Sequence, residues 1–181
     1  RDVAVSRGAA VDFIERQANR LDAQACAFRR CPLHLYAVSE DAQEAIAREH
    51  GALREAGLDA WLQDDVPAGV PAAAGRVLVL ANQAQFHPLA YTRMLAQDAQ
   101  RLGARVHESS AVLEVDADHG RVRTAGGTVR AREIVLATHS PIGIHRVHTG
   151  MLARREYGLA FALEHPFPPG IFWGRGKDGL S

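Results

Sequence analysis

The stretch HPLAYTRMLAQDAQRLGARVHESSAVLEV (His87–Val115), followed further on by GGTVRAREIVLAT (Gly126–Thr138), decides the fold. Phe86-His87-Pro88 opens a helix with proline in the first turn, where its missing amide hydrogen costs nothing. Gly103 ends that helix, and Arg105–Glu108 reads as a strand reached by the helical crossover. Val112–Val115, Arg121–Thr124 and Thr128–Arg130 are separated by DADHG and by Gly126-Gly127, the pattern of an antiparallel meander with tight turns. EIVLAT (Glu133–Thr138) is a continuous apolar run of the kind found in a fully buried parallel strand.

Working outward, Val11, Ile14, Ala18, Leu21, Ala25 and Phe28 fall on one helical face, and Pro32 is expected to stop that helix. Leu33–Val38 reads as a short strand. Ser39 with Glu40 and Asp41 supplies an N-cap and first-turn acids for a second helix, which ends at Gly57. The Pro/Gly/Ala-rich stretch Pro67–Gly75 is the expected boundary between subregions, and Arg76–Ala81 is the next strand. Downstream, the irregular HSPIGIHRVHTG leads to a long strand pattern over Leu152–Glu164, then the PFPPG turn and IFWG.

Composition limits what the chain does. Its 181 residues carry 21 Lys+Arg and 21 Asp+Glu, a formal net charge of zero, which argues against a nucleic-acid or anionic-membrane binder. With 47% hydrophobic and 23% charged residues, a packed core is expected. The longest apolar runs, Val77–Ala81 and Ile134–Ala137, are far too short to cross a bilayer. The opening RDVAVSRG lacks the apolar middle of a secretory signal. Cys26 and Cys31 read as reduced cysteines of a cytoplasmic protein. His139, His145 and His148 are separated by a proline and a glycine with no acid among them, so no metal site is expected. Gly-x-Ser-x-Gly, HExxH and P-loop motifs do not occur, which removes the usual hydrolase and kinase readings. A first residue of Arg and a Gly-rich end read as an internal piece of a longer protein.

The order helix, glycine, strand, meander, apolar strand and small polar residue resembles the FAD-dependent oxidoreductases typified by D-amino-acid oxidase, glycine oxidase and sarcosine oxidase. The matching stretch is roughly Phe86 to Thr138, and a looser likeness covers nearly the whole chain. FHPLAY and ATHSPIG resemble the subgroup with an added Rieske iron-sulfur domain. The resemblance implies an α/β to α+β fold, part of a glutathione-reductase-like FAD-binding fold joined to part of a mixed-sheet substrate domain. It assigns residues 1–75 to the substrate-binding region, 76–140 to the second part of the FAD-binding region and 141–181 to the returning substrate sheet. The implied cofactor is FAD and the implied partner a small amine or amino acid oxidised by hydride transfer.

By the same likeness, the Val112 main chain meets the adenine, while Ala137 and Thr138 pass the ribose and pyrophosphate. His139 stands where the family usually has glycine. Arg155 and Tyr157 are the residues read against the substrate carboxylate. Two family elements are absent, the N-terminal GxGxxG and the C-terminal Gly-rich segment. The usual Asp-Pro is His87-Pro88, read as simple capping. With only part of the parallel sheet, the chain is expected to be inactive alone and prone to self-association through open strand edges. The alternative reading is a non-enzymatic α+β module for interaction or ligand binding.

Overall fold

The computed structural model describes residues 2–138, 157–164, 167–176 and 179–180. Five strands form one sheet in the order β2-β3-β1-β7-β8: β1 (Arg29–Ala37), β2 (Ala60–Gln63), β3 (Val77–Gln85), β7 (Ile171–Gly176) and β8 (Gly179–Leu180). Its pairings are antiparallel except for β1 with β7, which is parallel from Leu33↔Ile171 to Ala37↔Arg175. A separate antiparallel meander consists of β4 (Val112–Asp116), β5 (Arg121–Thr124) and β6 (Gly127–Arg130). The helices are α1 (Asp2–Leu21), α2 (Glu40–Glu55) and α3 (Pro88–Arg101). The chain divides into two compact units, Arg1–Ala104 with Leu163–Ser181, and Arg105–Ala162. The expected mixed α/β architecture, a parallel pair plus an antiparallel meander, is therefore present.

Alternation along β1 builds the first unit. Leu35 and Ala37 face Leu78, Ala60 and the α2 residues Ala42 and Ile46 in one core. On the opposite face Val77 and Val79 pack with Val70, Ala74, Tyr36 and Phe172. A third cluster joins α1 to α3 through Ala18, Cys26 and Tyr91, with Ile14, Phe86 and Met94 against it. Arg30 ties α1 to the sheet, bonding Asp12 and Glu15 at 2.6 Å each and the Asn82 carbonyl at 2.8 Å. Both cysteines are free and buried, and burial pushes the Cys31 thiol up.

Several boundaries differ from the sequence reading. The first helix lies earlier than expected, ending at Leu21, because the Asp22 carboxylate accepts the amides of Gln24 and Ala25 at 3.0 Å each and bends the chain into a turn. Pro32 thus stops no helix; it sits inside β1 at a register shift between Cys31 and Leu33, where the ladder needs no amide hydrogen. β2 was not foreseen, being four residues long and paired only with β3. The Pro/Gly/Ala-rich stretch lies within the first unit, and β3 beyond it pairs with both β1 and β2. Arg105–Glu108 and Glu133–Thr138 form no strands, and neither does the described part of the long pattern, residues 157–164. A buried strand requires hydrogen-bonding neighbours on its flanks, and the second unit's described strands pair only among themselves.

α2 ends as expected, with Gly57 at φ 84° closing the turn through Leu58 N–H to Leu53 O and Gly57 N–H to Arg54 O. The same pair of bonds follows α1, Phe28 N–H to Ala23 O and Ala27 N–H to Gln24 O, with Ala27 at φ 50° in the left-handed position. A side chain there costs about 1–2 kcal/mol, whereas glycine adds about 0.4–1 kcal/mol of unfolded-state entropy. Relief of strain outweighs the entropy, so Ala27→Gly should stabilise the chain by about 0.5–1 kcal/mol. Urea denaturation checks this, and a lowered midpoint would contradict it.

Candidate functional site

Val112 is the first residue of β4, opposite Thr124, with 49% of its surface exposed. Ala137 and Thr138 are also exposed, at the end of a segment with no regular structure. The apolar residues before them stay in water, Val135 at 87% exposure and Leu136 at 54%. Tyr157 is 87% exposed, and His139 and Arg155 lie outside the described residues. The meander carries a solvated ladder of charges instead of a buried site. Asp116 accepts from His119 at 2.8 Å and from Arg121 at 2.7 Å, and these bonds hold its carboxyl down at about 2. Arg123 pairs with Glu114 at 2.9 Å.

In the first unit, direct register places Trp61, Val79, His34 and Phe172 in one row across β2, β3, β1 and β7. The His34 ring stacks on Phe172 at 4.7 Å and 8°, and Phe167 meets Phe172 edge-on at 5.1 Å. His34 Nδ1 is buried without a hydrogen-bond partner. Burial lowers the His34 pKa, which keeps the ring neutral on a face lined by Val77, Val79, Tyr36 and Phe172. Sequence reading passed over this row. Its signal was the alternation in LHLYA (Leu33–Ala37), which sends His34 and Tyr36 to the face opposite Leu35 and Ala37.

No described helix offers a ready cradle for a diphosphate. The first turn of α1 holds Asp2, and that of α2 holds Glu40 and Asp41. α3 begins with Pro88, which has no amide hydrogen, and its N-cap His87 takes the Ala90 N–H on Nδ1 at 3.3 Å. This is the capping expected of His87-Pro88. The spacing G-x-G-x-x-G does occur at Gly174–Gly179 (GRGKDG). There it spans the antiparallel pairing of β7 with β8, Gly176 opposite Gly179, instead of leading from a strand into a helix. Among the described residues no helix is long and apolar enough to cross a membrane, and no group of three metal-ligating side chains comes together.

Comparison with known proteins bears on the whole chain. Residues 3–175 match the family model described as FAD dependent oxidoreductase. A Bacillus subtilis (strain 168) protein named as a Rieske 2Fe-2S iron-sulfur protein is 28% identical over 171 residues, 90% of this chain and 32% of that protein. Glycine oxidase from Geobacillus kaustophilus is similar in fold, with TM-score 0.60 at 18% identity over 71% of this chain and 36% of that one. L-proline dehydrogenase from P. horikoshii is similar at TM-score 0.56 and 13% identity, over 69% of this chain and 34% of that one. The chain therefore spans about a third of the length of these relatives.

Proposed function

Because the chain belongs to the family of FAD-dependent oxidoreductases, we propose that it forms part of an enzyme that oxidises a C–N bond of an amine or amino acid. The family match over residues 3–175 carries this reading. Fold likeness to two proteins named for amino-acid substrates supports it. Bound FAD supplies the hydride acceptor, and the protein supplies position and electrostatics. The parent works in the cytoplasm and belongs with the subgroup that carries a Rieske domain, in keeping with the name of the Bacillus relative.

No start of a described helix suits the diphosphate of FAD, so the reading rests on main chain elsewhere. Val112 is half exposed at the start of β4, and Ala137 and Thr138 are small and exposed, so a ligand reaches their backbone past little side chain. We assign the Val112 main chain to the adenine, Ala137 and Thr138 to the ribose and pyrophosphate approach, and His139, by its place in the sequence, to the cofactor as well. Arg155 and Tyr157 are assigned to the substrate carboxylate. Residues 76–140 then form the second part of the FAD-binding region, while 1–75 and 141–181 serve the substrate; β3 is continuous with the substrate sheet. The 181-residue chain alone is inactive in this scheme.

Replacing Thr138 by Trp in the parent should weaken FAD binding about ten- to hundred-fold, the effect of roughly 1–3 kcal/mol of overpacking beside a ligand. The same change at Arg130, exposed in β6 and opposite Arg121 instead of Val112, should leave it nearly unchanged, whereas Thr124 stands opposite Val112 and is no neutral control. Flavin release followed by fluorescence, with folding checked by circular dichroism, measures both. Equal affinities in two folded variants would remove Ala137 and Thr138 from the cofactor site.

A further inference from the structure

A cleft of about 850 Å³ opens between the turn after α1 and the start of α3, lined by Gln24, Phe28, Arg29, Gln85, Phe86 and His87 among others. From its chemistry we propose that it binds a small carboxylate carried on an aromatic ring. Its size falls in the range of small-molecule sites.

The charges point to an anion. Arg29 is exposed, and its guanidinium meets the Gln85 amide oxygen, a neutral acceptor; among the described residues no carboxylate pairs with it. Other arginines nearby are neutralised, Arg30 by Asp12 and Glu15 and Arg20 by Asp98. Among the described residues no acid lines the cleft. His87 adds a second donor, because its Nδ1 accepts from Ala90 N–H and the ring proton of the neutral form must then sit on Nε2.

The walls are held in place. His87 N–H donates to Cys26 O at 2.7 Å, which ties the α1 turn to the start of α3. With its amide oxygen turned to Arg29, the Gln85 amide nitrogen faces Gly170 O at 3.3 Å. Phe28 and Phe86 lie offset at 6.4 Å, and Phe86 is braced edge-on by Tyr91 at 5.2 Å. A fixed aromatic floor beside an unneutralised guanidinium suits a flat ring bearing a carboxylate, which the guanidinium grips with two parallel bonds. No described carboxylate in the lining stands ready to pair with an ammonium group, and Arg29 repels one. None of the residues used is among those named above for the cofactor or the substrate carboxylate (Val112, Ala137, Thr138, His139, Arg155, Tyr157), and the site needs no flavin.

The test is a titration of the isotope-labelled 181-residue chain with phenylacetate, propionate and 2-phenylethylamine, read from backbone amide resonances. Phenylacetate should shift the Phe28, Arg29 and His87 amides along one saturable curve, with propionate weaker and the amine without effect. Arg29→Gln, at an exposed position, should weaken phenylacetate by about tenfold or more. The proposal is overturned if the amine shifts the same amides as strongly, if phenylacetate fails to saturate, or if Arg29→Gln binds as well as the parent sequence. None of these outcomes alters the flavoprotein reading, which rests on the family match over residues 3–175 as a whole and not on what this cleft binds.

Discussion

Purified as a chain of 181 residues, the protein should be colourless and should take up no FAD on titration. The diphosphate of a dinucleotide is held by free amide hydrogens and the positive end of a helix dipole, usually at a glycine-rich turn. Here the three described helices begin with Asp2, with Glu40 and Asp41, or with Pro88 behind a side-chain cap. Carboxylates in a first turn repel the phosphates that such a turn would otherwise attract. The contacts proposed above, main chain at Val112 and Ala137-Thr138, lack a helix start behind the diphosphate, so millimolar affinity, about 4 kcal/mol, is a generous limit. Absorbance of the purified protein and equilibrium dialysis against FAD measure this directly. A yellow preparation with stoichiometric flavin would show that the chain holds the diphosphate by residues not recognised above.

Gly69→Val should be the most damaging single substitution in the first unit. Gly69 has φ 92°, and a Cβ placed there would lie 2.0 Å from Phe167 Cζ and 2.2 Å from Cε2. The Phe167 ring yields only by leaving Phe172, the ring that stacks on His34 where β7 pairs with β1. Left-handed backbone costs a residue with a Cβ about 1–2 kcal/mol, and displaced packing adds about 1–3 kcal/mol. A loss of about 2–5 kcal/mol follows, a large share of the 5–15 kcal/mol typical of a domain. Urea unfolding of the variant measures it. Adding Phe167→Ala should recover part of the loss, because the two sites share one contact. An unchanged midpoint for Gly69→Val would mean that the loop carrying Gly69 is not held against this sheet.

Local chemistry was readable before the structure, and long-range pairing was not. The His87-Pro88 start of α3 and the Gly57 turn after α2 depend on bonds spanning a few residues, so spacing alone located them. The meander β4-β5-β6 was legible for the same reason, its turns being tight. The parallel pairing of β1 with β7 joins residues more than a hundred positions apart, and no local pattern encodes it. EIVLAT shows the converse: its composition is that of a buried strand, yet composition supplies no neighbour, and Val135 is left in water. Of the candidate site, Val112, Ala137 and Thr138 were placed by family likeness, whereas the His34–Phe172 stack was encoded in a plain alternation that attention to the histidines beyond Thr138 obscured. The second unit leaves Leu113, Val129, Leu159 and Phe161 more than half exposed.

The most direct test uses the parent protein purified with its flavin and mixed, without oxygen, with a panel of amines and amino acids. The account predicts stoichiometric FAD whose oxidised absorbance is lost on adding at least one member of the panel, with the matching imine or its keto hydrolysis product formed in equal amount. A parent that carries no FAD, or whose bound FAD stays oxidised with every amine and amino acid tried, would contradict it.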